Sequence, residues 1–328
     1  MPVTVKIQDK SRKRVVAPNA PPPAELGDYA VPTERSEGLK SFLVWFFIML
    51  SVCGTFLSVE AARPVGIVLT AWWILSIFGF YSMGPRMVLR RMRLHGTEFE
   101  ITSKRNPRLK AVLSKGSAML GISEPEGFLT DEAAPRAQLV GRKDPYFFLV
   151  TEGAVSLLTP PELDCLTLRL LVHARQGHIA RLALIKNLDA TPAAIRFLAW
   201  PVNFYSTLLQ MAWSESADQT ADRLTLLLVR DHKLLLRSIL KMHSLHDPAM
   251  QEAEITPEDI EEYVNQAGKI SVHGTEISTQ YKLGSAISAN VYLEDRLKAL
   301  SEWARSQEFQ DALQKLAEAR ARSAGPVA

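Results

Sequence analysis

The sequence predicts a mainly α-helical membrane protein: an N-terminal transmembrane hairpin, then a largely helical soluble domain with a small β-element. Three observations predict it. Two uncharged apolar runs stand side by side near the N-terminus, apolar residues recur at helical spacing over most of residues 85–328, and one short stretch alternates as strands do.

The first 38 residues read as a disordered tail. "SRKRVVAPNAPPPAELGDYAVPTERSEG" is rich in proline and charge and lacks a sustained apolar period, so it buries too little surface to offset its ordering entropy. It does not resemble a signal peptide, because the apolar run starts near residue 41 and no small-residue cleavage site follows.

The hairpin is assigned to residues 39–85. Ser41 to Val59 and Pro64 to Gly84 carry no charge, and each is close to the ~20 residues a helix needs to cross a bilayer. The link "EAAR" holds no domain. Trp45, Trp72, Trp73 and Tyr81 are aromatics of the kind membranes favour. Arg35, Lys40 and "KSRKR" precede the first run, and Arg86, Arg90, Arg91 and Arg93 follow the second. The connecting turn has only Arg63, balanced by Glu60. Positive-inside then places both termini in the cytoplasm.

The soluble domain is assigned to 86–305, with a helical C-terminal tail over 306–328. "NPRLKAVLSKGSAMLGI" reads as a helix ending at Gly121. "AQLVGRKDPYFFLVTEGAVSLL" reads as two short strands around a turn. Thr159 as N-cap, Pro160 at the first helical position and Glu162 at the capping-box position open a helix expected to run through Leu184. Thr191-Pro192 opens another, interrupted by Pro201. Its apolar stretch carries Arg196 and Asn203, so it is not read as a full span; it lies on the membrane surface or in the domain core. "ESADQTADRLTLLLVRDHKLLLRSILKMH" reads as one helix, "TPEDIEEYV" starts another after Thr256, and the C-terminal stretch is one long or two shorter helices.

Composition narrows function. The net charge of +3, with no Lys/Arg run interleaved with aromatics, argues against nucleic acid as a partner. Cys53 and Cys165, far apart and in apolar surroundings, read as buried thiols rather than a disulfide framework or zinc knuckle.

"LLVHARQGHIARLAL" brings two histidines into one helical pattern. The ordered set "NPRL", "EGAVSLLTPPEL", "GHIAR", an apolar segment, "DQTAD" and "YLEDRLKAL" resembles the membrane zinc metallopeptidases of the HtpX and CAAX prenyl protease family, over about residues 38–305. The resemblance implies a zincin-like metallopeptidase domain, a bacterial inner-membrane location and a His-Glu-x-x-His helix. Aligned on "GHI", His178 takes the second histidine, Ala174 the first and Arg175 the catalytic glutamate; Asp218 takes the third ligand, a glutamate in the family, and Asp222 the aspartate after it. Arg296 is kept from the family's late His-Pro-x-x-x-Arg, whose histidine is Asn290 here.

No catalytic residue is therefore intact. Arginine stays protonated and cannot act as general base. His173 and His178, five apart, are offset by about 140° on a continuous helix and should face different sides. His178 and Asp218 remain the metal candidates, and Asp218 is a methylene shorter than the family's glutamate. A lone histidine on an apolar face also reads as a hydrogen-bonded core residue, and Asp218 with Asp222 as a solvated face. The expectation is a pseudopeptidase without cofactor, in which Arg175 pairs with Asp218 or Asp222 in place of the ion. Expected partners are the lipid bilayer and a protein or polypeptide. Two alternatives stand beside it: an active zinc endopeptidase with His173, His178 and Asp218 as ligands, and a structural or assembly protein working through its tails, "SRKR" and "AEARARS".

Overall fold

A computed structural model describes residues 29–75, 98–141, 146–182, 200–244, 248–267 and 291–323. It is mainly helical with one small sheet. Helix α1 (Pro32–Ser58) begins nine residues before the uncharged run. The end of the supposed tail is thus ordered, because Pro32 sits in the first turn and the Val31 N–H donates to Thr220 Oγ1 at 3.0 Å. α1 is long and apolar enough to cross a membrane. After a 3₁₀ turn (Glu60–Ala62), residues 63–75 form α2, which covers the first half of the second apolar run; 76–84 lie outside the described residues. Trp45 and Trp73 meet edge to face across the hairpin, with centroids 5.6 Å apart.

The sheet has four strands, β1 (Glu98–Glu100), β2 (Glu126–Thr130), β3 (Ala137–Val140) and β4 (Phe147–Thr151), in the order β1-β2-β4-β3. β2 and β4 run parallel, and each outer strand is antiparallel to its neighbour. β3 and β4 are the two strands expected. The "EGAVSL" that follows them is instead a helix, α4 (Glu152–Leu157), turned by Thr151, whose hydroxyl accepts from the Ala154 N–H.

Helix α3 (Pro107–Leu120) ends, as expected, at Gly121, whose φ of 64° lets its N–H return to the last turn. Helix α5 (Pro160–Arg175) starts where expected: the Thr159 N–H donates to Glu162 Oε2 at 2.7 Å, and Lys241 pairs with the same carboxylate at 2.9 Å. It does not run on to Leu184. It stops at Arg175, Gly177 takes φ 75°, and residues 179–182 form a fresh helical turn. Beyond lie α6 (Trp200–Ala212), α7 (Ser214–Val229), α8 (His232–Ser244), α9 (Pro248–Glu252), α10 (Pro257–Ala267), α11 (Val291–Arg305) and α12 (Gln307–Ser323). The single helix expected over 215–243 is two, broken at Arg230 in the left-handed region. Thr191 and Pro192 lie outside the described residues.

The larger of two buried clusters among the described residues joins the sheet to helices of the domain. Leu113, Phe148, Leu171, Leu224, Leu227 and Leu293 are essentially fully buried in it. Phe309, Ala312 and Leu316 of α12 belong to the same core, so residues 307–319 are an integral layer rather than a separate tail. Cys53 and Cys165 are free and buried, and burial, chiefly, pushes the Cys165 thiol up to about 12.

Candidate functional site: a buried ion cluster and an imidazole chain

Three helices each supply two polar side chains four residues apart, hence on one face. α5 supplies Arg169 and His173, α7 Asp218 and Asp222, and α11 Tyr292 and Arg296. The faces converge. Arg169 Nε reaches Asp222 Oδ1 at 2.6 Å, and its Nη2 donates to Asp218. Arg296 holds Asp222 with two bonds, Nε to Oδ2 at 2.5 Å and Nη2 to Oδ1 at 2.9 Å. The Tyr292 hydroxyl donates to the second oxygen of Asp218. Arg296 Nη1 also donates to His243 Nε2 at 3.2 Å, on α8.

The four charges cancel in pairs, which is how such a group tolerates burial. Asp222 is fully buried and Arg296 nearly so. Burial opposes ionisation of Asp218, but Arg169 first, then Arg296 and His173, hold its carboxyl well below the usual range. Asp222 is lowered in the same way, against burial, by Arg296 and then Arg169. Both guanidinium groups are held protonated by these carboxylates despite their own desolvation. Burial pushes the Tyr292 phenol up, and the adjacent Asp218 charge adds to it.

A chain of imidazoles leaves this cluster. His173 Nε2 lies 3.4 Å from Asp218 Oδ1, and its Nδ1 lies 3.0 Å from His178 Nδ1. On its far side His178 Nε2 is 2.8 Å from Glu34 Oε1 of α1, at ion-pair distance though off the line of a good hydrogen bond. Trp213 closes over the His178 ring edge to face, with centroids 5.5 Å apart. His173 and His178 are buried, and burial, with the Arg169 and His178 charges, lowers His173 to about 4. A neutral His173 that carries its hydrogen on Nε2, toward Asp218, would accept at Nδ1 from His178 Nδ1.

The site therefore assembles His178, Asp218 and Asp222 as anticipated, with corrections. His173 and His178 do not face apart: the helix ends between them and Gly177 turns the chain back, which cancels the offset of a continuous helix. Asp218 and Asp222 are no solvated face. Their cationic partners are Arg169 and Arg296, not Arg175. Arg175 is the last residue of α5, half-buried, six positions past Arg169 and hence on another side of the helix. Ala174 is buried and offers no ligand. Asn290 lies outside the described residues.

Arg169, Tyr292 and Glu34 were not anticipated. A polar residue four positions from another within an apolar helix was the readable signal for Arg169 and Tyr292. Nothing local marks Glu34, which arrives from 144 residues away in sequence.

A zinc ion does not fit these residues as arranged. Ligands of one ion must converge on a point. His173 meets His178 through one ring nitrogen and Asp218 through the opposite one, so the three form a line. Among the described residues there is no group of three or more His, Cys, Asp or Glu side chains that could hold a metal ion. Comparison with family models, with curated proteins and with solved structures returns no match for the chain.

Proposed function

We propose that the protein is a membrane-anchored pseudopeptidase: a metallopeptidase-like domain that acts by binding or regulating a membrane-proximal protein rather than by hydrolysis. The single observation that carries this reading is the double clamp of Arg169 and Arg296 on Asp218 and Asp222. The carboxylate that would serve as third metal ligand is already occupied by a guanidinium and a phenol. The family's base position holds Arg175. The helix face that would carry chemistry instead joins α5, α7 and α11.

The second reading, an active zinc endopeptidase using His173, His178 and Asp218, has one observation in its favour: the three side chains are contiguous. Against it stand their collinear order and the missing base, whose loss typically costs about 10²–10⁴ in rate. Against the assembly reading, the C-terminal "AEARARS" begins directly after the core residue Leu316, and its own Ala319 is buried.

Metal analysis of the purified full-length chain, paired with a casein-type proteolysis assay, decides among them. The expected result is substoichiometric zinc and no chelator-sensitive cleavage. Chelator-sensitive cleavage abolished by His178→Ala would establish the second reading. A pull-down with and without residues 1–28 separates binding through the domain from binding through the N-terminal tail.

A further inference from the structure

The structure assigns α6 a place that the sequence left open between membrane surface and domain core. We infer that α6 lies inside the cytoplasmic leaflet of the bilayer, alongside α1, and contacts lipid. This rests on the reading of α1 as a membrane span.

The buried stripe of α1 runs Glu34, Gly38, Ser41, Trp45, Met49, Cys53. α6 and the residue after it lie against the first half of that stripe in inverse order. A Cβ on Gly38 would stand 3.2 Å from Trp213, the Ser41 hydroxyl donates to the Leu208 carbonyl at 3.4 Å, and the Trp45 ring sits 5.1 Å from Tyr205. As α1 advances from 38 to 45, its partner retreats from 213 to 205. The helices are antiparallel, and the N-terminal end of α6 points toward the middle of the span.

The charges of both helices stop at the same level. On α1 the last is Lys40, and 41–59 carry none. On the partner, Trp200–Ala212 carries none, and the first charge past it is Glu215. One plane near the Ser41–Leu208 contact therefore has Glu34, Glu37, Lys40, Arg181, Glu215 and Asp218 on one side and only uncharged residues of α1 and α6 on the other. A charged side chain in hydrocarbon costs several kcal/mol, so a shared boundary of this kind is what a membrane surface imposes. The apolar face of α1 continues past this plane with Phe42, Val44, Phe47 and Ile48, all exposed.

Depth follows from helix rise. At ~1.5 Å per residue, Tyr205 lies roughly 4–5 Å below the plane, and Trp200 another 7–8 Å deeper. Thirteen residues span about 20 Å, short of the ~30 Å hydrocarbon core, so α6 enters one leaflet and does not cross. Glu34, His178, His173 and Asp218 then sit immediately beneath the headgroups, and a partner must approach that cluster along the membrane surface.

Spin labels read this directly. In a variant lacking Cys53 and Cys165, cysteines are placed singly at Phe47 on α1, Thr207 and Gln210 on α6, and Glu308 on α12. The full chain is reconstituted into phosphatidylcholine–phosphatidylglycerol nanodiscs, and relaxation by oxygen is compared with relaxation by a water-soluble nickel chelate. The expected result is oxygen-dominated relaxation at 47 and 207, an intermediate value at 210 and chelate-dominated relaxation at 308. If 207 and 210 behave like 308 while 47 stays oxygen-dominated, α6 belongs to the aqueous domain and the inference falls with the membrane anchor intact. If 47 is also chelate-dominated, the anchor reading itself fails. Protection of 207 and 210 from both reagents, with label-to-label coupling lost at one chain per disc, would mean a second copy covers the face and would overturn the lipid assignment.

Discussion

His173 and His178 meet nitrogen to nitrogen at 3.0 Å, although five residues separate them in a stretch that reads as one helix. The contact exists because α5 ends between them. The N–H of Gln176 returns to Val172, that of Gly177 to Ala174 and that of His178 to His173, and Gly177 takes φ 75°. The turn converts an unsuitable helical spacing into a direct contact. In doing so it lines the two rings up with Asp218 on one side and Glu34 on the other, so that a row of polar side chains runs from α7 to the start of α1.

Gly177→Ala should therefore cost about 1 kcal/mol. A Cβ there meets nothing within 4 Å, so the cost is that of a left-handed backbone alone. Gly177→Asn should cost less, since asparagine tolerates that region. Thermal unfolding of the two detergent-solubilised variants measures the difference. Equal stability of the alanine variant and the parent would mean the turn is not held in this conformation.

Arg169→Ala should destabilise by about 3 kcal/mol or more, because it leaves a buried carboxylate without its cation. Asp222 would keep Arg296, while Asp218 would keep only Tyr292 and His173. Arg169→Lys should recover part of the loss, since one ammonium cannot reach both carboxylates with the fork geometry of Nε and Nη2. Arg175→Ala should cost clearly less than Arg169→Ala. The reverse order in melting temperature would restore the pairing first expected from the sequence.

That reversal shows where sequence reasoning ran out. The apolar span of α1, the caps of α3 and α5 and the two strands β3 and β4 follow from local chemistry and were legible. So was the idea that an arginine neutralises Asp218 and Asp222, because the need for a cation is set by the carboxylates themselves. Which arginine does so depends on the level at which α7 crosses α5, and that is decided by tertiary packing, not by any motif. The break at Gly177 was half-visible, since glycine is the residue that ends helices, but the helical pattern of apolar residues continues past it to Leu184. Glu34 was hidden in what read as a tail. Its position depends on α1 starting early and docking on Thr220 and Ser216.

Stability should rise with pH between about 4 and 6.5, and His173 should be a main cause. Burial first, then the Arg169 and His178 charges, lower its pKa from 6.5 to about 4. Between those values the unfolded chain takes up a proton that the folded chain refuses, so lowering the pH favours unfolding, by up to ~1.4 kcal/mol per pH unit for one proton. His232, also lowered chiefly by burial, acts in the same direction, whereas Asp218 and Asp222, lowered by their arginines, add their loss only near and below the ordinary carboxylate range. His173→Asn should flatten the dependence over pH 4.5–6.5 by about one proton. Identical slopes for parent and variant in unfolding midpoints would contradict the burial of a neutral ring.

Rebuilding the peptidase motif by sequence alone should not rebuild the site. Ala174→His with Arg175→Glu spells His-Glu-x-x-His, which positions two ligands only if residues 174 and 178 share one helix four apart. Here α5 ends at 175 and His178 lies beyond the turn, already engaged with His173 and Glu34. The third ligand position is held by Arg169 and Tyr292 on Asp218. A guanidinium within hydrogen-bond reach of a ligand oxygen also repels a divalent ion. The double variant should therefore purify without stoichiometric zinc and should be less stable than the parent, since an imidazole would have to enter the nearly fully buried site of the Ala174 methyl group. Adding Arg169→Met frees Asp218 and removes the competing charge, so any zinc uptake should appear only in that triple variant. Zinc content and the zinc dependence of the melting temperature, compared across the three proteins, measure this. Stoichiometric zinc in the double variant would mean that the turn at Gly177 and the Arg169 clamp yield readily to a metal, and that the site is closer to a working peptidase than its ion pairs indicate.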